Sequence, residues 1–459
     1  MGRYTDFFAV LVTGALLYAI KRRRKPSLPL PPGPKGLPLV GNLFQIPSEL
    51  QWIKYHEWST ELNTDILHLQ AAGTHIIVLD KYEVAVDLLE SRSSMYSGRP
   101  RLVMITELMG QDFSLAFMNY GERWRKHRRL AQQSLQATAF KRYRPHLAQA
   151  TRKLLKRLLD DRDDGKSIPH FRQLAAETIM SVAYGIQIQQ ENDPYVKLAE
   201  DANQGTNLQK IEAGEQDNAL TEDVLRNTLA VLYAGGSDTS VSTMASCILG
   251  LLEHPEVLKK AQVQIDSVVK PGHLPDLDDE PSLPYITAIV KEALRWREVT
   301  PFGGLHTLST DDEYKGYHLP AGAIVIANVW AMLHDKNVYA DPFEFNPDRF
   351  INLETGKVDY SRARDPELVC FGFGRRICPG RFMAFESLWL LIASLIATFD
   401  IEKAKEKVHY APRVGFKQPV RRIQPVRQVT SGDPKKRKLG YDRIEIPRTI
   451  ASSFPLADG

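Results

Sequence analysis

A loop rich in glycine and arginine around Cys378 constrains the fold more than any other part of the sequence. The loop runs from Phe371 to Gly380 and leads directly into an apolar segment with helical periodicity, Arg381 to Ala397. A cysteine at a helix N-terminus beside arginines gains stabilisation of its thiolate from the helix dipole, free N–H groups and the cations. The loop therefore predicts a metal-binding thiolate, with Gly374 and Gly380 allowing close approach of a flat ligand. The alternative is a buried structural cysteine in a glycine-rich turn.

Cysteine usage argues against one class of protein. The chain has three cysteines among 459 residues, and it contains no Asn-x-Ser/Thr acceptor. Both features favour a reducing compartment over a secreted fold built on disulfides. Cys247 and Cys370 lack the setting of Cys378, and we predict that they are structural thiols.

The first 25 residues have the pattern of a membrane anchor. Tyr4 to Ile20 is mostly apolar, at the short limit for a membrane span, and the basic cluster Lys21 to Lys25 follows it. A cleaved signal peptide would carry its charge before the apolar run, so a retained single-pass anchor with a cytoplasmic body is predicted. An N-terminal helix packed on the body is the alternative. The proline-rich residues 26–42 are predicted to form a stiff, extended hinge.

The charge of the chain is unevenly distributed. The net charge is only +4, and the basic excess lies in the C-terminal residues after 403. A nucleic-acid partner is therefore not predicted.

Hydrophobic periodicity predicts a mainly α protein with a small β-rich lobe. Ile66 to Leu79 alternates as a hairpin does, with Ala72 and Gly73 at its turn. Short strands are expected again at 318–319 and 324–328. Helices are predicted at 82–90, 123–133, 145–159, 225–252 and 381–397.

The Cys378 loop also resembles a known family. Its pattern Phe371-x-x-Gly374-x-Arg376-x-Cys378-x-Gly380 matches the haem-binding signature of cytochromes P-450. The resemblance extends over about residues 30–405 and is closest to fungal microsomal members. Four further motifs follow the family's order: Trp124-x-x-x-Arg128, Gly235-Gly236-Ser237-Asp238-Thr239-Ser240, Glu292-x-x-Arg295 and Pro347-Asp348-Arg349-Phe350.

The resemblance implies a set of roles around haem b. Cys378 would be the proximal ligand of the iron. Trp124 would cover a haem edge, while Arg128 and His306 would meet the propionates. The other implied cofactor-binding residues are Gly235, Phe371, Gly374, Arg376 and Gly380. A structural ion cluster is implied for Glu292, Arg295 and Arg349.

Two glycines within one apolar helix need an explanation, because each costs about 1 kcal/mol relative to alanine. The family resemblance implies that the helix loosens at Gly235 so that Asp238 and Thr239 relay protons to bound dioxygen. Alternatively, the Thr239 hydroxyl donates to the Gly235 carbonyl and only bends the helix. We favour the relay because of the nearby Cys378 signature.

The implied activity is that of a haem-thiolate monooxygenase. It would insert one oxygen atom of O2 into an apolar organic substrate, with electrons from an NADPH-cytochrome reductase. The apolar residues around 102–117 and 299–305 would line the substrate side of the pocket. The implied location is the endoplasmic reticulum membrane, with the catalytic domain in the cytoplasm. The exposed residues Arg125, Lys126 and Arg129 are either a solvated face or a docking patch for that reductase.

Two segments depart from the family's pattern. The interval near 196–220 is polar and too short for the several helices that roof the substrate pocket in the family. Residues 411–459 form a divergent basic tail, so the haem-thiolate catalytic domain is predicted at 43–410. An altered splice would explain both departures. The second hypothesis for function is therefore a haem-binding product that is catalytically inert or uncoupled.

Overall fold

The computed structural model of the chain describes residues 13, 28–160, 167–186, 188, 189, 193, 219–402, 422–425 and 444–445. The predicted membrane anchor, most of the interval near 196–220 and most of the basic tail lie outside these residues. Longer α-helices in the described part are α1 Gln51–Glu61, α4 Glu122–Leu135, α6 Arg144–Asp160, α7 Ser167–Ile179, α8 Ala219–Glu253, α9 Pro255–Val268, α10 Pro284–Trp296 and α13 Arg381–Thr398; shorter ones are α2 Tyr82–Ala85, α3 Ser93–Tyr96, α5 Ala137–Phe140, α11 Val329–Leu333 and α12 Glu367–Cys370. The strands are β1 Ile66–Ala71, β2 Thr74–Leu79, β3 His306–Thr307, β4 Asp312–Tyr314, β5 Tyr317–Leu319, β6 Ile324–Ala327, β7 Phe399–Glu402, β8 Arg422–Pro425 and β9 Ile444–Glu445. The mainly α architecture with a small β lobe is confirmed.

The main sheet of the β lobe has the strand order β1-β2-β6-β3. β1 and β2 form the predicted hairpin, and its turn residues Ala72 and Gly73 have φ of 48° and 87°. Positive φ at both central residues matches the twist of the flanking strands in a two-residue turn. β2 pairs with β6 in parallel, and β6 pairs with β3 antiparallel, which brings His306 to the sheet edge.

The predicted hinge is not a free spacer from residue 28 onward. The backbone N–H of His68 in β1 donates to the Pro32 carbonyl, and the buried side chain of Asn42 donates to the Pro34 carbonyl and accepts from Gln70 N. Prolines lack N–H donors but keep their carbonyls, so this segment can still bond to a strand edge. Residues 28–42 thus bond to the body at several points, and the role of this segment as a hinge stays a prediction.

The helical core is built around α8, α10 and α13. Pro284 occupies the first turn of α10, where a missing N–H costs nothing, and every residue from Tyr285 to Trp296 is buried. α13 is mostly apolar, and its residues 388–396 are buried. By length and composition α13 alone among the described helices could span a membrane, but half of that stretch is buried inside the fold.

Candidate active site

The Cys378 loop lies between α12 and α13 and lines a cavity of about 550 Å³. The backbone N–H of Cys378 donates to the Phe371 carbonyl at 2.8 Å, which closes the loop on itself. Gly374 has φ of +52°, and a Cβ there would clash with the carbonyl oxygen of Leu89. Glycine is required at 374 because the loop is pressed against the π-helical turn Val86–Ser91.

Burial dominates the acidity of the Cys378 thiol. It raises the pKa above the usual value, although the Gly380 N–H and the cations Arg128 and Arg381 act in the opposite direction. The N–H group and arginines that the sequence predicts as partners of the thiolate are therefore present, but burial outweighs their effect on the pKa of the thiol. Removal from water costs more than the helix end and the arginines return. A metal cation bound at Cys378 would supply the missing stabilisation, because coordination deprotonates a thiol.

Three arginines surround one side of the cavity without a compensating acid. Burial and mutual repulsion lower the pKa of Arg376 to about 9, and burial lowers that of Arg99 to about 10. Arg128 is shifted in the same direction by burial. No aspartate or glutamate of the described residues lines the cavity. Desolvated cations of this kind favour an anionic ligand with carboxylates.

The predicted haem-edge residues converge on this cluster. The buried Trp124 donates from Nε1 to the Leu115 carbonyl at 3.3 Å, and the Arg376 guanidinium lies 4.6 Å from its ring centre. Arg128 donates to the Ile377 carbonyl beside Cys378. His306 is buried with Nδ1 2.7 Å from the Tyr96 carbonyl, and burial lowers its pKa to about 3.

Arg99 was not identified from the sequence, although it belongs to the same cluster. It donates to the carbonyls of Leu305 and Ala116, on the two segments that border the cavity. Arg99 belongs to none of the quoted motifs, and its position depends on contacts across more than 200 residues. Sequence patterns of short range carry no signal for such a residue.

Helix α8 crosses the cavity at Gly235 and Thr239. Thr239 Oγ1 donates to the Gly235 carbonyl at 2.6 Å, which is the hydrogen bond of the alternative interpretation. Asp238 does not line the cavity; its carboxylate is exposed and lies 2.7 Å from Arg172 of α7. Successive residues of a helix point about 100° apart, so Asp238 and Thr239 face different surroundings. The structure does not bring the predicted relay pair together.

The apolar walls match part of the predicted substrate side. Leu115, Phe117 and Val299 line the cavity, as expected. The π-helical segment Val103–Leu108 does not, and its Met104 is 63% exposed. The expectation for the apolar residues of 102–117 therefore holds for Leu115 and Phe117 and is wrong for those of Val103–Leu108.

The predicted ion cluster is fully buried behind the site. Arg295 lies 2.8 Å from both oxygens of Glu292, and Arg349 Nε lies 3.2 Å from the same carboxylate. The arginines also donate to backbone carbonyls of the segment 340–344. The Glu292 carboxylate thus joins α10 to the turn Pro347–Phe350, and these bonds offset part of the cost of burying the three side chains.

The site fits haem by the chemistry of its residues. A cysteine sulfur faces an apolar cavity, a glycine-rich loop permits close backbone approach, and a cationic cluster without acids stands at one edge. Haem presents an iron for the sulfur, a flat apolar macrocycle for the walls and two carboxylates for the cations.

Comparisons with known proteins agree with this site. The family profile described as cytochrome P-450 matches residues 31–211 and 206–424. Cytochrome P-450 monooxygenase 98 of Postia placenta is 37% identical over 462 positions, which cover 86% of this chain and 87% of that protein. Tryptamine 4-monooxygenase of Psilocybe cyanescens is 34% identical over 464 positions, covering 86% and 90%. Because each alignment is longer than this chain, those relatives carry residues without a counterpart here.

A solved structure shares the fold. A zebra fish cytochrome P-450 determined with progesterone superposes with a TM-score of 0.66 at 22% identity, covering 77% of this chain and 93% of that one.

Proposed function

The chain belongs to the cytochrome P-450 family of haem-dependent monooxygenases, and from that premise we propose that it inserts one oxygen atom of O2 into an apolar organic substrate. The electrons would come from NADPH through a cytochrome reductase. Two electrons and two protons balance the reaction, because the second oxygen atom leaves as water. The observation that carries the proposal is the position of Cys378 on an apolar cavity edged by Arg99, Arg128 and Arg376.

We propose that haem b is held between the Cys378 loop and α8. Cys378 would ligate the iron, and Phe371 and Gly374 would shape the loop below it. Arg128, Arg376 and His306 would face the propionates, with Arg99 as an additional partner. Haem iron ligated by the Cys378 thiolate would supply the activation of O2.

The chain's own residues would bind the substrate and move a proton. Leu115, Phe117 and Val299 would exclude water from the substrate through their apolar surface. Thr239 Oγ1 lies on the cavity wall. To relay a proton it would turn its hydroxyl hydrogen from the Gly235 carbonyl toward the cavity, donate that hydrogen there and take up another from solvent. The Gly235 carbonyl holds this hydroxyl in place at 2.6 Å. Asp238 pairs with Arg172 on the exposed side of α8 and would take no direct part in this proton transfer.

The membrane location is proposed from the sequence of the first 25 residues. Their apolar run and the basic cluster after it support a single-pass anchor in the endoplasmic reticulum membrane, with the body in the cytoplasm. On that side of the membrane the reductase could reach the basic residues Arg125, Lys126 and Arg129, which are all exposed.

The first test is spectroscopic. Purified full-length protein is reduced with dithionite, and its absorption is compared with and without carbon monoxide. A Soret band at the long wavelength of a thiolate-ligated ferrous carbonyl is expected. A shorter-wavelength band in the folded wild-type protein would refute the proposed role of Cys378. Turnover with reductase and NADPH then tests the monooxygenase reaction.

A haem-binding but uncoupled product is the second candidate. The observation in its favour is at α8, where the Thr239 hydroxyl is bonded back to Gly235 and Asp238 is turned toward Arg172. The short, polar interval near 196–220 also supports it. A cavity without a roof would neither hold the substrate nor exclude water from the reaction. NADPH consumption with release of peroxide and no oxidised product would establish this candidate over the first.

A further inference from the structure

A buried ammonium group lies directly behind the Cys378 loop. Lys291 of α10 is only 7% exposed, and its Nζ lies 2.8 Å from both oxygens of Asp365 and 2.6 Å from Glu367. Burial alone would lower the pKa of Lys291, but the two carboxylates outweigh it and raise that pKa above the usual value. Lys291 is therefore charged in the folded protein and is held by two acids.

The two acids belong to the segment that leads into the loop. Asp365 Oδ1 accepts the backbone N–H of Glu367 at 3.0 Å, at the start of α12. α12 ends at Cys370, and the next carbonyl, that of Phe371, accepts the Cys378 N–H. Holding Asp365 and Glu367 therefore holds the backbone to which Cys378 is bonded.

The same ammonium also contacts the segment that leaves the loop. Lys291 Nζ lies 5.2 Å from the ring centre of Phe385, in the second turn of α13. It lies 5.3 Å from the ring centre of Tyr360. Charges at this distance are attracted to aromatic faces. Lys291 thus joins both ends of the loop to the rigid helix α10.

Lys291 and its neighbour Glu292 serve different parts of the fold. Glu292 pairs with Arg295 and Arg349, which bond to carbonyls at 340–344. Lys291 faces Asp365 and Glu367 instead, because adjacent residues of a helix point in different directions. The Glu292 cluster therefore cannot replace the link from α10 to the loop.

We propose that Lys291 is a positioning residue for the thiolate: it fixes both flanks of the Cys378 loop so that the sulfur faces the cavity in the orientation required by the iron. Lys291 does not touch the cavity, so it acts through Asp365, Glu367 and Phe385. This inference rests on the proposed role of Cys378 as the ligand.

The test uses the full-length protein and a spectroscopic readout. Lys291→Met removes the ammonium while keeping a flexible side chain of similar length. We expect the long-wavelength share of the ferrous carbonyl spectrum to fall, and haem transfer to apomyoglobin to accelerate about tenfold, as for the loss of groups that orient a metal ligand. Lys291→Arg retains the charge and should restore most of both properties.

Lys260 supplies a control lysine that is also paired with a carboxylate and lies near an aromatic ring, at a more exposed position. Its ammonium pairs with Asp348 and lies 4.3 Å from the ring centre of Tyr285, but it contacts neither end of the loop. Lys260→Met should keep the wild-type spectrum and transfer rate when all proteins are compared at the same distance below their unfolding temperatures. If Lys291 only stabilises the fold, Lys291→Met should show the same carbonyl spectrum and haem transfer rate as this control under those conditions. That result would overturn the inference.

Two further outcomes are decisive. If Lys291→Met does not fold, the milder Asp365→Asn decides, and an unchanged band share in that variant contradicts the positioning role. If the wild-type protein itself lacks the long-wavelength band, the ligand assignment of Cys378 fails, and this inference fails with it. The two failures are thereby distinguished by the wild-type spectrum alone.

Discussion

Two cysteines line the same cavity, and their surroundings assign them different roles. Burial raises the pKa of both thiols, and that of Cys370 rises well above its usual value. Arg128, Arg381 and the Gly380 N–H act against this rise at Cys378. We expect Cys378→Ser to abolish the long-wavelength carbonyl band and all turnover, because a hydroxyl does not replace the thiolate. Cys370→Ser is the control and should retain the band. Loss of the band in the control alone would reverse the assignment.

Asp238 and Thr239 are adjacent in sequence but should behave differently on mutation. Thr239→Ala should lower the product formed per NADPH by about 100-fold, the lower end for a positioned proton donor, with more peroxide released. Its stability should fall by only about 1 kcal/mol for one lost hydrogen bond. The measurement is the ratio of NADPH, peroxide and product in the reconstituted system.

Asp238→Asn should change that ratio little, because its carboxylate pairs with Arg172 on an exposed face. Such pairs contribute less than about 1 kcal/mol. Equal uncoupling in both variants would restore the relay pair inferred from the motif.

Acid should destabilise the protein through a buried histidine. His334 is stacked on Trp330, and burial lowers its pKa to about 3. Since the unfolded chain binds a proton below about pH 6.5 and the folded site does not, this contribution is complete above that pH and is lost as the pH falls. By pH 5 the loss is about 2 kcal/mol. His334→Gln should lose less stability than wild type between pH 7 and pH 5, measured by urea unfolding; a steeper loss would contradict the assignment.

Single residues were predictable where a short motif places them and not where distant segments meet. Cys378, Trp124 and Arg128 follow from spacing within one loop or one helix turn. Arg99 and Lys291 acquire their positions from residues more than 70 positions away in sequence. The direction in which Asp238 points depends on Arg172, a partner that the motif does not contain.

At the level of elements, the Cys378 loop depends on close packing against the turn after α2. Gly374→Ala places a Cβ against the Leu89 carbonyl and forces φ of +52° on a residue with a side chain. Strain in the left-handed region alone costs about 1–2 kcal/mol. We expect the clash to add to this and to release haem, measured by the haem-to-protein ratio after gel filtration.

Gly316 is a control position that separates backbone strain from the steric clash expected at Gly374. It has φ of +80°, and a Cβ there would meet no described atom within 4 Å. Gly316→Ala should therefore show only the strain cost and keep its haem. Similar haem loss in both variants would show that the close approach at Gly374 is unimportant.

Elements with strong local patterns were predicted well from the sequence. The β1–β2 hairpin and α13 have the expected bounds within a residue or two, because alternation, turn residues and a capping glycine act locally. The contacts of the hinge with the body were not predicted, because its prolines indicate extension but do not reveal that a β-strand edge lies within hydrogen-bonding distance. Packing partners of extended segments are set by tertiary structure.

For the whole molecule, we expect the interval near 196–220 to govern how well electron transfer is coupled to product formation. The family profile matches in two parts that meet at residues 206–211, and the alignment to the Postia placenta relative is longer than this chain. The uncoupled candidate predicts that the wild-type chain binds haem but releases peroxide in preference to product, whereas the monooxygenase proposal predicts the reverse. Replacing residues 196–220 by the corresponding segment of that relative should raise the product formed per NADPH about tenfold, because a closed cavity excludes water. A scrambled insert of equal length and composition is the control: it should leave the ratio unchanged, since it cannot pack over the cavity. Equal gains from both inserts would show that covering the cavity is not what limits coupling, and tight coupling in the unmodified chain would show that it needs no additional roof.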